Sequence, residues 1–315
     1  MRSASLTNKK TTVFSKNKLL KDVRRNYQVY LLAIPVVAFY LVFHYYTMYG
    51  SIIAFKEYSP KLGILGSKWV GFENFLKFFN SIFFGRLVRN TVLISILDIL
   101  WNFPAPIILA LLLNEVRQLT FKKMVQTITY LPHFISLVVV CGMVIDFTST
   151  NGVINDIIEM FGGTRKNFLM DPNSFRSVYI ASGMWQHVGW GSIIYLAALT
   201  NINQELYEAA RIDGAGRLKQ TWYITLPGIA PTIIILLILR LSNIMNVGHE
   251  KIILLYNSAI YETADVISTY VYRKGLIQFD YSFSAAVGLF NSAINFILLL
   301  FANKLSRRLT ETSLW

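Results

Sequence analysis

Long apolar runs separated by short polar stretches organise this chain. Six runs approach or exceed the roughly 20 residues that an α-helix needs to cross a bilayer, at about 30–49, 88–113, 131–147, 178–200, 226–247 and 283–302. Asp146 interrupts the third and Arg240 the fifth. The pattern predicts an all-α polytopic membrane protein with six transmembrane helices. The competing soluble fold would have to bury six apolar helices in one core. A chain that is 54% hydrophobic and only 15% charged is too apolar for a soluble domain of this size.

Charge orients the spans. The N-terminal tail carries Arg2, Lys9, Lys10, Lys16, Lys18, Lys21, Arg24 and Arg25 against Asp22 alone. Arg117, Lys122 and Lys123 follow the second span, Arg211, Arg217 and Lys219 the fourth, and Lys304, Arg307 and Arg308 the sixth. On the opposite side acids balance most of the bases. The positive-inside rule then places both termini in the cytoplasm, and most of the net charge of +13 is an orientation signal. A basic chain also suits nucleic acid, but bases scattered over short loops speak against that partner. The lipid bilayer is the partner they fit, with the tail against anionic headgroups. The polar N-terminal region is nearly thirty residues long and no small-residue cleavage site follows the first span, so no cleaved signal peptide is expected.

The composition offers little catalytic chemistry. The single cysteine, Cys141, lies inside a span, and His44, His133, His187 and His249 are far apart in sequence, without metal-ligand spacing. No metal, no cofactor and no catalytic residue is expected on this chain.

Two outer segments have structure of their own. Phe72, Phe75, Leu76, Phe79, Ile82 and Phe83 recur at helical spacing with Glu73, Asn74, Lys77 and Asn80 between them. This predicts an amphipathic helix, either lying on the outer membrane face or packed on the bundle. The last outer segment, about 248–281, holds a possible helix over 263–274 with Val266, Tyr270 and Lys274 on one side. A segment this long can dock a soluble partner or cap a pathway.

The inner loop after the fourth span reads as a compact helical hairpin. Asn203 suits an N-cap, and Glu205 stands in the first turn, where an acid favours the helix dipole. Ala209 and Ala210 present a small surface that permits close approach. Gly214 suits the left-handed residue that ends such a helix. A second short helix over 217–224 is expected next, with Pro227 in the first turn of the fifth span. The shape is one for docking, or simply that of an alanine-containing hairpin.

The residues of this loop carry a resemblance. Glu208, Ala209, Ala210, Gly214, Ile224, Leu226 and Pro227 occupy every defining position of the EAA motif of binding-protein-dependent ABC importer permeases, between the expected spans. The resemblance covers about 88–302, a five-helix MetI-like core with the EAA loop at 201–227. Around it lie a basic tail (1–29), an extra N-terminal helix (30–49), an outer segment (50–87) and a C-terminal tail (303–315). A second stretch, Asn246–Asn257 with Ile260–Ile267, then Ala286–Ser292 and the final Ser313-Leu314-Trp315, resembles the LplB-like branch, associated with oligosaccharide and polysaccharide-fragment uptake. In that pattern an apolar aromatic commonly stands where His249 stands here.

The resemblance implies a type I importer. A second homologous permease subunit completes the pathway, two copies of a cytoplasmic ABC ATPase grip the EAA loops, and an extracytoplasmic sugar-binding protein delivers substrate. Glu208 and Arg211 would make polar contacts to the ATPase, Ala209 and Ala210 pack into its cleft, and Gly214 set the turn, with Asp213, Ala215, Leu226 and Pro227 completing the loop. No glycine of this chain is followed by lysine, so it has no P-loop, and ATP and Mg²⁺ belong to the partner ATPase.

Polar and bulky aromatic residues inside spans are the pathway candidates: Asp98, Trp101, Asn102, Trp185, Gln186, Trp190, Arg240, Asn243, Asn291 and Asn295. Sugars offer apolar ring faces and many hydroxyls, which aromatics and amides can meet. The alternative roles are helix–helix hydrogen bonding for the amides, interfacial anchoring for the tryptophans, and a structural bridge between Asp98 and Arg240. Pro104 and Pro106 are expected to bend or break the second span. Two other classes differ in what they require. An ion-driven carrier could use Asp98 or Asp146 as a coupling carboxylate but has no need of the EAA pattern. A membrane-embedded enzyme needs a catalytic cluster, and none is evident.

Overall fold

The computed structural model describes residues 24–310 and 313. Most of the basic N-terminal tail and the last residues of the chain, including Trp315, therefore lie outside the described residues. The chain divides into two compact units, residues 1–52 and 53–315.

In the first unit, α1 (Tyr27–Tyr40) contains Pro35 and runs into a wider π turn at Leu41–Tyr45. The hydroxyl of Thr47 bonds back to the carbonyls of Phe43 and His44, a local arrangement that lets a polar side chain sit in an apolar helix.

The second unit is helical except for one two-stranded antiparallel ribbon, β1 (Lys56–Glu57) and β2 (Lys68–Trp69). Helix α2 (Glu73–Phe79) follows. Of the two placements open to this segment, packing on the bundle is the one observed. Phe78 is buried against Phe84, Phe283 and Phe290 in edge-to-face contacts, and Asn74 is buried too, donating to the carbonyls of Ala54 and Lys56. Asn74 therefore belongs to the packed face rather than the polar one.

The expected bend in the second span is present. Helix α3 (Phe84–Asn102) ends where Pro104 and Pro106 remove two backbone donors, and α4 (Pro104–Glu115) restarts with proline at its first position. The third span starts later than expected and, with the short helix that follows it, runs on to Met160. Residues 119–130 form a separate helix, α5, with a 3₁₀ turn at Leu131–Phe134 around Pro132, and α6 starts only at Leu137 and ends at Thr148. Pro132 and the N-capping Ser136 set that boundary. A turn leads to α7 (Val153–Met160).

Helix α8 (Pro172–Leu199) is the hub. Asp171 caps it, accepting from the Asn173 amide, the Ser174 hydroxyl and Lys166. The Ser174 hydrogen bond first, then Lys166 and the amide, pull this carboxyl down to about 2. Its glycines let neighbours approach closely. A Cβ at Gly189 would run into the backbone carbonyl of Thr129 in α5, and one at Gly191 would stand 3.0 Å from Pro106 in α4.

Helix α9 (Gln204–Ile212) lies in the inner loop. The second loop helix is not separate, contrary to expectation. Arg217–Gln220 (α10), a π turn at Thr221–Thr225 and α11 (Leu226–Leu241) run on as one continuous 25-residue helix. Pro227 thus lies within a helix. The wider turn just before it accommodates the missing donor, as π bulges commonly do.

Helices α12 (His249–Leu255) and α13 (Ile267–Tyr272) form the last outer segment. Helix α13 starts at Ile267 rather than near 263, because Asp265, fully buried, ends the preceding turn; Val266 and Tyr270 are both buried. Asp265 is held by Arg273 at 2.7 Å, Arg86 at 3.5 Å and the Thr269 hydroxyl at 2.8 Å. Asn90 of α3 donates to the carbonyls of Glu262 and Asp265 and accepts from Arg176. The segment is therefore docked onto the bundle. Helix α14 (Tyr281–Thr310) closes the fold and extends eight residues beyond the expected end of the sixth span.

By length and composition, five helices among the described residues are long and apolar enough to cross a membrane: Tyr27–Phe55, Phe84–Glu115, Leu137–Met160, Arg217–Leu241 and Tyr281–Arg308. The remaining expected span, the fourth, corresponds to α8, whose 28 residues reach roughly 42 Å at 1.5 Å per residue but are more polar. Its Ser182, Gln186 and Ser192 are buried by its neighbours, which accounts for the weaker apolar signal.

Candidate functional site

Two polar cavities meet between α3, α8, α11 and α12. The larger, about 630 Å³, is lined by Asp98 and Asn102 of α3, Tyr179, Gly183 and His187 of α8, Arg240 of α11, Asn243 in the turn after it, and Lys251 of α12. The smaller, about 290 Å³, shares Asp98, Tyr179, Arg240 and Asn243 and adds Ser95, Asn246 and Gly248. An Asp98–Arg240 ion pair borders both, and Asn102 donates to the other Asp98 oxygen at 2.7 Å. The bridge considered from sequence thus forms, between helices 142 residues apart in the chain. Arg240 stands in the last turn of α11, where a cation complements the helix dipole.

Four of the ten pathway candidates, Asp98, Asn102, Arg240 and Asn243, converge here. The others are placed elsewhere. Trp101 is more than half exposed and lines neither polar cavity. Trp185 faces a separate, mainly apolar cavity of about 640 Å³ between α6 and α8. Gln186 is buried, with its side-chain oxygen lacking a hydrogen-bond partner. Trp190 stacks on His133, ring centroids 4.5 Å apart. Asn291 donates to Asn246, and Asn295 accepts from the Met245 amide, so both brace the chain after α11.

The structure adds three lining residues that sequence reading missed. Tyr179 and His187 lie on the polar-interrupted hub helix, and His187 also meets His133 at 3.3 Å despite 54 residues between them. Lys251 lies in a stretch that reads as an outer loop, yet it is buried, donating to the Tyr179 carbonyl at 3.0 Å. Its signal was its position in the Asn246–Asn257 stretch that carries the branch resemblance.

The inner loop has the expected local geometry. Asn203 caps α9 by accepting from the Glu205 amide, and Gly214 adopts φ +74°. The Ala215 amide closes the turn onto the Ala210 carbonyl at 2.8 Å. Tyr207 reaches Thr225 at 2.9 Å and Arg217 pairs with Glu115 at 3.7 Å, fixing the hairpin to α4 and to the helix that follows. No residue of α9 is buried, and Ile212 is 87% exposed. The hairpin is thus tied to its neighbours while the apolar side chains of α9 stay open.

A bundle with an exposed helical hairpin and charged cavities inside suits a membrane transport subunit. The chain belongs to the family of binding-protein-dependent transport system inner membrane components, which matches residues 102–311. It is therefore a multi-pass membrane component of an ABC importer rather than the ATPase, and not an ion-driven carrier. The polygalacturonan/rhamnogalacturonan transport system permease protein YteP of Bacillus subtilis (strain 168) is 44% identical over 308 residues, 96% of each chain. Protein LplB of the same organism is 46% identical over 294 residues, covering 93% of this chain and 92% of LplB. A chain in the crystal structure of a bacterial alginate ABC transporter, in complex with an alginate pentasaccharide-bound periplasmic protein, superposes with a TM-score of 0.87 at 45% identity, over 94% of this chain and all of that one.

Proposed function

We propose that this chain forms half of the translocation pathway of an ATP-driven importer for an oligosaccharide. The observation that carries the reading is the match, over nearly the full length, to a permease chain of a transporter crystallised with an oligosaccharide-loaded binding protein. In this reading the second half is a homologous permease, and an extracytoplasmic binding protein delivers the sugar. Two ATPase copies, which bind ATP and Mg²⁺, dock on the cytoplasmic side, where both termini lie.

The EAA loop is the coupling element. Glu208 and Arg211 make polar contacts to the ATPase, Ala209 and Ala210 allow close approach, and Gly214 with Asp213 and Ala215 shapes the turn. Leu226 and Pro227 transmit its movement into α11, which carries Arg240 of the passage. ATP-driven closure of the ATPase pair biases a two-state bundle, as coupling requires.

The test is reconstitution of the chain in proteoliposomes with the permease, ATPase and binding protein encoded beside it. ATP-dependent uptake of labelled oligogalacturonide or alginate fragments is expected, with Gly214→Asp and Glu208→Lys inserting normally but losing uptake. A complex that hydrolyses ATP yet takes up neither sugar sinks the carbohydrate reading. Normal uptake by both variants sinks the coupling role.

A further inference from the structure

Lys251 is a buried ammonium without an acid. Its residue is 8% exposed, its Nζ donates to the Tyr179 carbonyl at 3.0 Å and sits 4.8 Å from the centroid of the Tyr179 ring. Among the described residues no carboxylate comes within ion-pair reach of it. The one carboxylate lining the same cavity, Asp98, is engaged by Arg240 and Asn102. The Asp, Arg and Lys residues that line the cavity are Asp98, Arg240 and Lys251, two cations and one anion. Burying an unpaired charge costs several kcal/mol, and a carbonyl with one aromatic face offsets only part of that. Docking α12 onto α8 needs no charge; a neutral donor would satisfy the same carbonyl. Glycine at 183 permits this close approach of α8: a Cβ there would stand 3.4 Å from Nζ and 3.2 Å from the Asn102 amide, both tight contacts.

We propose that Lys251 is the charge-selecting residue of the passage, an ammonium that pairs with the carboxylate of an acidic sugar unit entering the cavity. The inference rests on the oligosaccharide reading and names the chemical class within it. A uronate offers the missing counter-ion at one end and ring hydroxyls for Asn102 and Asn243 at the other. A neutral sugar leaves the charge uncompensated. Arg240 does not fill this role, because its charge is balanced by Asp98.

The test is equilibrium binding of trigalacturonate and of its methyl ester to the assembled importer in nanodiscs, without binding protein or ATP. The wild-type complex is expected to prefer the acid at least tenfold. Lys251→Gln, which keeps a hydrogen-bond donor but removes the charge, erases the preference, and Lys251→Arg retains it. If the Gln variant fails to assemble, Gly183→Ala crowds the ammonium and lowers affinity for the acid more than for the ester. A wild-type complex with no preference, or binding neither probe, overturns the proposal, as does a preference that survives Lys251→Gln or is unmoved by Gly183→Ala. Uptake separates the two readings: oligosaccharide uptake without acid selection at Lys251 removes only this proposal, whereas no oligosaccharide uptake at all removes both.

Discussion

Asp98 of α3 and Arg240 of α11 form an ion pair at the wall shared by two polar cavities, so the contact that ties two helices together is also part of the cavity surface. Arg240 belongs to the helix that continues from the inner loop, and Asp98 to the helix that holds the outer segment through Asn90. A movement of the inner loop that turns α11 therefore acts directly on this pair.

Removing one partner leaves a charge inside the membrane domain, at about 2.5–3.5 kcal/mol on insertion scales. Asp98→Ala and Arg240→Ala are each expected to lower the thermal midpoint of the detergent-solubilised complex. The double variant is expected to recover part of the loss, giving a coupling of at least about 1 kcal/mol. Strict additivity of the two single changes in a double-mutant cycle would show that the pair contributes nothing.

Asp265 is the most demanding polar residue of the outer segment, fully buried between two guanidiniums. Asp265→Ala leaves Arg86 and Arg273 without their anion, a loss on the order of 3–5 kcal/mol. Asp265→Asn, which keeps the shape and an acceptor, should fall between. The check is protease sensitivity of 256–280 in intact membranes, which is expected to rise most in the alanine variant. Equal resistance in all three proteins would mean that packing alone holds the segment.

Gly189 marks the closest approach of α8 to α5, against the Thr129 carbonyl. Gly189→Ala forces the helices apart at a cost of about 1–3 kcal/mol. Gly142→Ala, where a Cβ meets nothing within 4 Å, serves as the control and should be close to neutral. Thermal unfolding of both variants in the same detergent checks the contrast; similar midpoints would show that the contact relaxes freely.

The sequence was most legible where the chemistry is local. Asn203, Glu205 and Gly214 have the roles in α9 that capping preferences assign them, and Pro104 and Pro106 bend the second span for the reason proline always does. It was least legible where one signal has two outcomes. Pro227 reads as a helix start, yet a π turn carries the helix through it. Asn74 reads as the polar face of an amphipathic helix, yet it is buried because two backbone carbonyls are waiting for it. Of the polar and aromatic residues within spans, Asp98, Asn102, Arg240 and Asn243 line the two polar cavities. Asn291 and Asn295 became braces, and residue type does not distinguish these fates.

By itself the sequence determined that this is an all-α membrane chain with an EAA hairpin, because span length, charge bias and capping are properties of contiguous residues. Only the tertiary structure decided what lines the polar cavities. Lys251 lies in a stretch that reads as outer loop, and Tyr179 and His187 on a helix whose polarity gives no direction. They converge because glycines in α8 allow close packing and because the outer segment folds back onto the bundle. Which charges balance and which are left over is a matter of distances between helices, and no periodicity along the chain encodes it.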